Sequence, residues 1–354
     1  MLIFDGHLDL SMNAMEWNRD LRKSLQEINR LEEGLADKPD RGKATISFQE
    51  MRSGKVGLCM ATQIARYVTP ENPLPGWNSP EQAWAHTQAQ LAWYHSMVEV
   101  GELRQIKEAT ELHQHVSDWE EDDKNTPIGF ILSLEGADSI LSMEHLERAW
   151  EYGLRAVGPA HYGPGVYAMG TDAEGGITER GKDLLQKMES LGMILDATHL
   201  CDDSFWDAMD IFHGAVWASH SNSRTLVPNH RQFSDEQYRE LLKRGAVIGI
   251  AFDAWMLIPG WIRGKSTPEE TGVALSHVVD HIMYVCELAG NTTQVALGTD
   301  LDGGFGKEQC PYDLESIARL PKVGDLLLER GLSQEDVYNI FSRNWLRFLT
   351  HAWT

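Results

Sequence analysis

The sequence predicts an α/β fold, a (β/α)8 barrel of TIM type, on three observations. Eight short, β-rich apolar runs alternate with longer helical stretches. The runs are apolar on both faces, which requires parallel strands covered on both sides. Six of the eight end in a histidine or a carboxylate, as strands would whose C-terminal ends converge on one mouth. A doubly wound open sheet is the rival. It would carry a glycine-rich phosphate turn after its first strand, where this chain has Asp5-Gly6-His7-Leu8-Asp9.

In order, the runs are Leu2–Asp5, Val56–Ala65, Ile128–Leu134, Leu154–Ala160, Met193–Thr198, Ala215–Ser219, Ala246–Phe252 and Gln294–Gly298. Helices are expected over Ser79–Gly101, Ser142–Tyr152, Thr178–Leu191, Asp203–Phe212, Ser234–Lys243, Pro268–Leu288 and Ser333–Asn344. Ser79 with Pro80 is a helix start, since the hydroxyl can cap and proline fits the first turn. Gly153, Gly192, Gly214 and Gly245 stand where a helix is expected to close in a left-handed residue. The whole chain, 1–354, reads as one barrel domain. Its charged segment 18–52 after the first strand is an insertion or lid, with a helix over Leu21–Glu33. The acidic run Asp118–Asn125 reads as a solvated loop, and His113 and His115 as exposed.

The 354 residues carry 31 Lys and Arg against 53 Asp and Glu, a formal charge of −22. Such a surface repels polyanions, so neither nucleic acid nor an anionic membrane is an expected partner. None of the four cysteines, Cys59, Cys201, Cys286 and Cys310, sits in a CxxC pair. They read as buried, reduced thiols of a cytosolic protein. MLIFDGHLDL lacks the basic and apolar halves of a signal peptide, so a cytoplasmic location is expected.

The chemistry collects at the strand ends. In His7-Leu8-Asp9, residues two apart on a strand share a face and offer one nitrogen and one oxygen, a set suited to zinc. Alone, such a pair is a weak signal, more often structural than ligating, but its place at the first strand end raises its value. Glu135, in Leu134-Glu135-Gly136-Ala137-Asp138, has two oxygens with which to bridge two cations. Asp138 reads as a surface or capping residue. His199 and His220 end neighbouring strands, about 4.8 Å apart, and can share a metal. His161 ends the fourth run and suits metal or substrate. Asp300, in Gly298-Thr299-Asp300-Leu301-Asp302, faces the first strand across the closed barrel. It can ligate a metal or move a proton, with Asp302 as its rival. His277 and His281 lie four apart on an outer helix without an HExxH glutamate, so no metal is expected there. Trp255 and Trp261 are candidates to line a pocket near the seventh strand.

These motifs, with Asn229-His230-Arg231 and the closing Asn344-Trp345-Leu346-Arg347, resemble the renal (membrane) dipeptidase family of zinc dipeptidases, in the amidohydrolase superfamily. The resemblance spans nearly the whole chain. It implies two zinc ions, one held by His7 and Asp9, the other by His199 and His220, with Glu135 bridging them. It also implies that His161 polarises the scissile carbonyl, Arg231 holds the substrate's terminal carboxylate, and Asp300 handles the proton. The implied reaction is hydrolysis of small dipeptides, L,D-dipeptides among the candidates, through a metal-bridging hydroxide; a homodimer is implied too. Leu8-Asp9-Leu10-Ser11 departs from the family's Asn-Asp-Leu-Pro, and so does Tyr162-Gly163-Pro164-Gly165 from the family's more polar sequence after the His161 position, which bears on side-chain specificity. The alternatives are amidohydrolysis of N-acyl-amino acids or lactams, and a metal-bearing barrel without catalysis.

Overall fold

In a computed structural model describing residues 1–69, 72 and 74–353, each of the eight runs contains a strand. These are β1 (Ile3–Leu8), β2 (Val56–Ile64), β4 (Ile128–Glu135), β5 (Leu154–Gly158), β6 (Ile194–Asp196), β7 (Val216–Trp217), β8 (Ile248–Ile250) and β9 (Val295–Leu297). A short β3 (Leu103–Gln105), not predicted, pairs with the first residues of β4. All ladders are parallel, in the orders β1-β2-β4-β5-β6-β7 and β8-β9. A bridge between Ala218 and Ile248 joins the two sheets. The Asp300 N–H donates to His7 O at 3.2 Å and returns the last strand to the first.

Neighbouring backbones diverge at the C-terminal ends, and buried side chains complete the ladder there. The Asp5 carboxylate accepts from Thr299 N–H at 2.8 Å and from its hydroxyl at 2.6 Å, linking β1 to β9. Asp196 accepts from Ser219 N–H at 3.1 Å, linking β6 to β7. The Asn222 side chain accepts from Ala251 N–H at 2.8 Å and donates to Ala251 O at 3.0 Å, linking β7 to β8. Inside, these strands pass very close. A Cβ on Gly249 or Gly298 would lie 1.9 or 1.8 Å from the Ser219 carbonyl oxygen.

Helices cover the outside much as the sequence indicates. Pro80–Glu99 starts at Ser79, whose hydroxyl accepts from Gln82 N–H. Of the four glycines expected to close helices in a left-handed residue, Gly214 alone is not left-handed. The stretch expected to be one helix over Pro268–Leu288 is two, Pro268–Thr271 and Leu275–Ala289, parted by Gly272 at φ 69°. The acidic run is not all loop, because its first half belongs to the helix Ala109–Glu121. Leu112, His115 and Trp119, three and four residues apart, form that helix's buried face. His115 is accordingly buried and bonded to Gly57 O at 2.8 Å, where exposure was expected.

Segment 18–52 holds a helix over Leu25–Leu31, shorter than expected, and is sewn to the barrel rim. The fully buried Arg19 guanidinium meets Glu32 at 2.8 Å, Asp40 at 3.0 Å and Asp302 at 3.6 Å. Asp302 also accepts from Thr45 N–H at 2.8 Å and Ile46 N–H at 3.1 Å. The rival to Asp300 is thus a structural carboxylate.

The close strand passage makes a prediction. Gly249→Ala should cost about 3 kcal/mol or more, since backbone rather than a side chain must move. Gly192→Ala, at φ 72° with nothing within 4 Å, should cost only about 1–2 kcal/mol. Urea unfolding of both variants measures this; equal costs would contradict it.

Candidate active site

Each predicted site residue lies at the C-terminal mouth of the barrel. His7 is on β1, and Asp9 stands just before the helix Leu10–Met15 without its side chain bonding to that helix. Glu135 is the last residue of β4, while His161, His199, His220 and Asp300 follow β5, β6, β7 and β9. His199 and Asp300 hold φ of 69° and 58°, a left-handed conformation uncommon outside glycine. These turns aim the two side chains inward instead of letting the backbone continue along the strand.

The centre is one oxygen. Glu135 Oε1 lies 3.2 Å from His199 Nε2, 3.4 Å from His220 Nε2 and 3.6 Å from His7 Nε2. His7 Nε2 is also 3.7 Å from Asp9 Oδ2 and 3.8 Å from Asp300 Oδ1. His161 stands at the side, its Nε2 3.9 Å from Glu135 Oε2 and its ring centroid 4.4 Å from that of His199.

The backs of these side chains are fixed. Ser219 Oγ lies 2.9 Å from His220 Nδ1 and 3.4 Å from His7 Nδ1, and Thr171 Oγ1 lies 3.0 Å from His199 Nδ1. The Thr62 hydroxyl donates to Asp9 Oδ1. Every Nε2 is thereby turned to the centre, as histidine ligands are when a polar group holds the other nitrogen.

Burial dominates the electrostatics. It pushes Glu135 up to about 7 and Asp300 well above the carboxylate range, with neighbouring carboxylates adding to the effect. It drives His199 and His220 far down, aided by Arg231 and by each other's neighbours. Burial would discharge His7 as well, but Glu135, Asp9 and Asp300 prevail and raise it to about 10. Buried carboxylates facing imidazoles in this way need a cation among them.

The residues fit a metal. His7 Nε2 is buried and has no hydrogen-bond partner. Two sets of ligand atoms, His7 with Asp9 and Glu135, and Glu135 with His199 and His220, each lie within 4.8 Å of one another and share Glu135. His7, His220 and Asp300 form a third such set. Mixed imidazole and carboxylate donors suit zinc or a similar divalent ion.

A cleft of about 520 Å³ opens over this centre, lined by His161, Arg231 and Asp300 among others. Arg231 is buried, donating to His220 O at 2.9 Å with its guanidinium 3.3 Å from His199 Nε2. Its loop is held from behind by His281, whose Nδ1 accepts from Ser223 N–H at 3.1 Å. His281 is therefore a buried structural histidine. Trp255 lines the cleft and Trp261 does not. Asp138, read as a surface or capping residue, is buried, and its Oδ1 accepts from Val166 N–H at 2.8 Å behind the site.

Sequence reasoning missed Thr62, Arg66, Asp253 and Arg263 near the mouth. The second run ends in no histidine or carboxylate and gave no signal, whereas Asp253 directly follows the seventh run, as Glu135 follows the third, and that signal was overlooked. Yet Thr62 and Arg66 lie at the end of β2 and just beyond it, and Asp253 follows β8. Asp253 accepts from Trp255 Nε1 at 2.6 Å and from Gln309 at 2.9 Å, and Arg263 lies over the Trp255 ring at 4.5 Å.

The position of His281 carries a pH prediction. Burial lowers its pKa from 6.5 to about 4. Protons therefore bind the unfolded chain first: the stability His281 confers is complete above pH 6.5 and is lost as the pH falls toward 4. The slope is at most about 1.4 kcal/mol per pH unit. Between pH 7 and 5 the wild type should lose stability more steeply than His281→Gln. Parallel curves of unfolding midpoint against pH would disprove this.

A model of the membrane dipeptidase family, peptidase family M19, matches residues 1–353. An uncharacterized protein from the pqqA 5' region of Klebsiella pneumoniae is 31% identical over 216 residues, 59% of this chain and 76% of that protein. Dipeptidase tcpJ of Claviceps purpurea is 30% identical over 220 residues, 61% of this chain and 48% of that one. The chain spans about half the length of the curated dipeptidases it matches. Among solved structures, the metallopeptidase dipeptidase AC of family M19 superposes with a TM-score of 0.81 at 21% identity, covering 100% of this chain and 99% of that one. A Rhodobacter sphaeroides metallopeptidase liganded with a phosphinate mimic of L-Ala-D-Ala superposes with a TM-score of 0.79 at 21% identity, with the same coverage. These likenesses establish the (β/α)8 barrel.

Proposed function

This chain belongs to the membrane dipeptidase family, peptidase family M19, whose members hydrolyse peptide bonds, and we propose that it is a dipeptidase dependent on two divalent cations, zinc by its donor set. The observation that carries the reading is the convergence of three imidazoles on Glu135 Oε1, with Asp9 and Asp300 beside them. In this reading His7 and Asp9 hold one ion, His199 and His220 the other, and Glu135 both. When bound, such a pair acidifies water and stabilises negative charge on a carbonyl oxygen.

The chain's own groups supply the rest. Arg231, buried at the cleft wall, grips the substrate's terminal carboxylate, for which a planar guanidinium offers two parallel donors. His161 turns a nitrogen toward the scissile carbonyl oxygen. Asp300 takes the proton released as water attacks and returns it to the departing amine nitrogen. Its place supports this: it lines the cleft, and its Oδ1 is 3.8 Å from His7 Nε2. The cleft volume of about 520 Å³ suits a short substrate. The L-Ala-D-Ala mimic on a structural neighbour adds L,D-dipeptides to the candidates. The four free, buried thiols support a reducing, cytoplasmic setting. No described helix is long and apolar enough to cross a membrane.

Metal analysis combined with a dipeptide library that includes L,D pairs tests the assignment. Two ions per chain and metal-dependent turnover are expected; a metal-replete protein inert on the whole library would end it. Asp300→Asn should keep the metal and lose about 100-fold or more in kcat, measured against metal content in the same sample. Arg231→Ala should raise KM for free dipeptides at least about tenfold and affect carboxyl-amidated ones less. Equal effects on both substrates would remove the carboxylate grip.

A further inference from the structure

Arg66 follows β2, the strand whose end carries no histidine or carboxylate. Its Nη2 lies 2.6 Å from His161 Nδ1, and its Nη1 donates to Pro75 O at 2.9 Å. Arg66 Nε is buried without a partner, and no carboxylate lies within ion-pair distance of the guanidinium among the described residues. Asp138 and Glu135 act on the guanidinium at longer range, and the one side chain it is hydrogen-bonded to among the described residues is the imidazole.

The contact has a fixed sense. A guanidinium only donates, so His161 Nδ1 must accept and the ring proton must sit on Nε2. Nε2 is the nitrogen facing the centre, 3.9 Å from Glu135 Oε2. The main chain of His161 is already held, with Thr171 N–H donating to its carbonyl at 2.9 Å and Gly170 packed so closely that a Cβ there would lie 1.8 Å from the same oxygen. What remains free is the rotation of the ring and the choice of nitrogen that carries hydrogen. Arg66 decides both. It also places a full positive charge behind the ring, which strengthens the Nε2–H as a donor to an oxygen gaining negative charge.

We infer that Arg66 is a positioning residue for the hydrolytic step: its hydrogen bond to Nδ1 holds His161 as the Nε2–H form, turned toward the substrate's carbonyl oxygen. The inference rests on the dipeptidase reading above for the role of that oxygen, but not for the state of the ring. Arg66 does not touch the substrate; it acts through His161.

Two measurements test it. In ¹⁵N-histidine-labelled protein, with the His161 signals assigned by their loss in His161→Asn, Nε2 should carry the proton in the wild type. That preference should disappear in Arg66→Met. An unchanged His161 ring in Arg66→Met would overturn the inference whatever the activity. In kinetics, Arg66→Met should lower kcat about 10–100-fold, the range for residues that orient an active-site group, with KM within about twofold. In the His161→Asn background the same change should cost less than about twofold. An equal loss in both backgrounds, or a loss seen in KM alone, would overturn it. Arg66→Lys, which keeps a charged donor, should recover about tenfold of the loss, and Arg66→Leu, which also lacks a donor, replaces Arg66→Met in both tests if the latter does not fold. A protein inert on every dipeptide would sink the hydrolytic reading, and the nitrogen spectrum would still decide the role of Arg66.

Discussion

One carboxylate oxygen sets the terms for the rest of this molecule. Three imidazole nitrogens lie within 3.6 Å of Glu135 Oε1, all in a buried site. In low dielectric a carboxylate is costly to bury unless positive charge joins it. Strands β1, β4, β6 and β7 must therefore end at nearly the same height, with their last side chains turned inward.

Much of the surrounding structure follows from holding that arrangement. The backbone ladder alone cannot close the ring at its C-terminal end, so Asp5, Asp196 and Asn222 supply the missing acceptors and donors. Two of them, Asp5 and Asp196, come two and three residues before a proposed ligand. The carboxylates that fasten the strands thus also fix where His7 and His199 emerge. The same economy appears in Ser219, which lies between the His7 and His220 rings and whose main-chain oxygen fills the space left by Gly249 and Gly298.

The fold and the cluster of candidate ligands were legible because they rest on local pattern. Apolar runs bounded by turn residues mark the strands, and a histidine or acid just past such a run marks the mouth. His7, Asp9, Glu135, His199, His220 and Asp300 all have this signature. Residues that act through a partner distant in the chain were not legible. Arg66 and His161 are 95 positions apart, and neither reveals the other. Asp138 and His115 were misplaced for a related reason: a polar residue beside a turn or on an acidic helix looks solvated until the packed neighbour is known. The helix Ala109–Glu121 was hidden because its charges outnumber its three buried positions.

The segment between the first two strands reads, from its charge and length, as something that could swing. Its Arg19 is instead locked against three acids, one of them Asp302 beyond the adjoining strand β9, with no solvent reaching the guanidinium. Lifting the segment would strand buried charges, and breaking such a pair costs about 3–5 kcal/mol. One wall of the cleft's mouth is thereby held in place. That wall of the mouth sets its width by shape: a small molecule passes it by diffusion, and a longer polypeptide meets it as an obstacle.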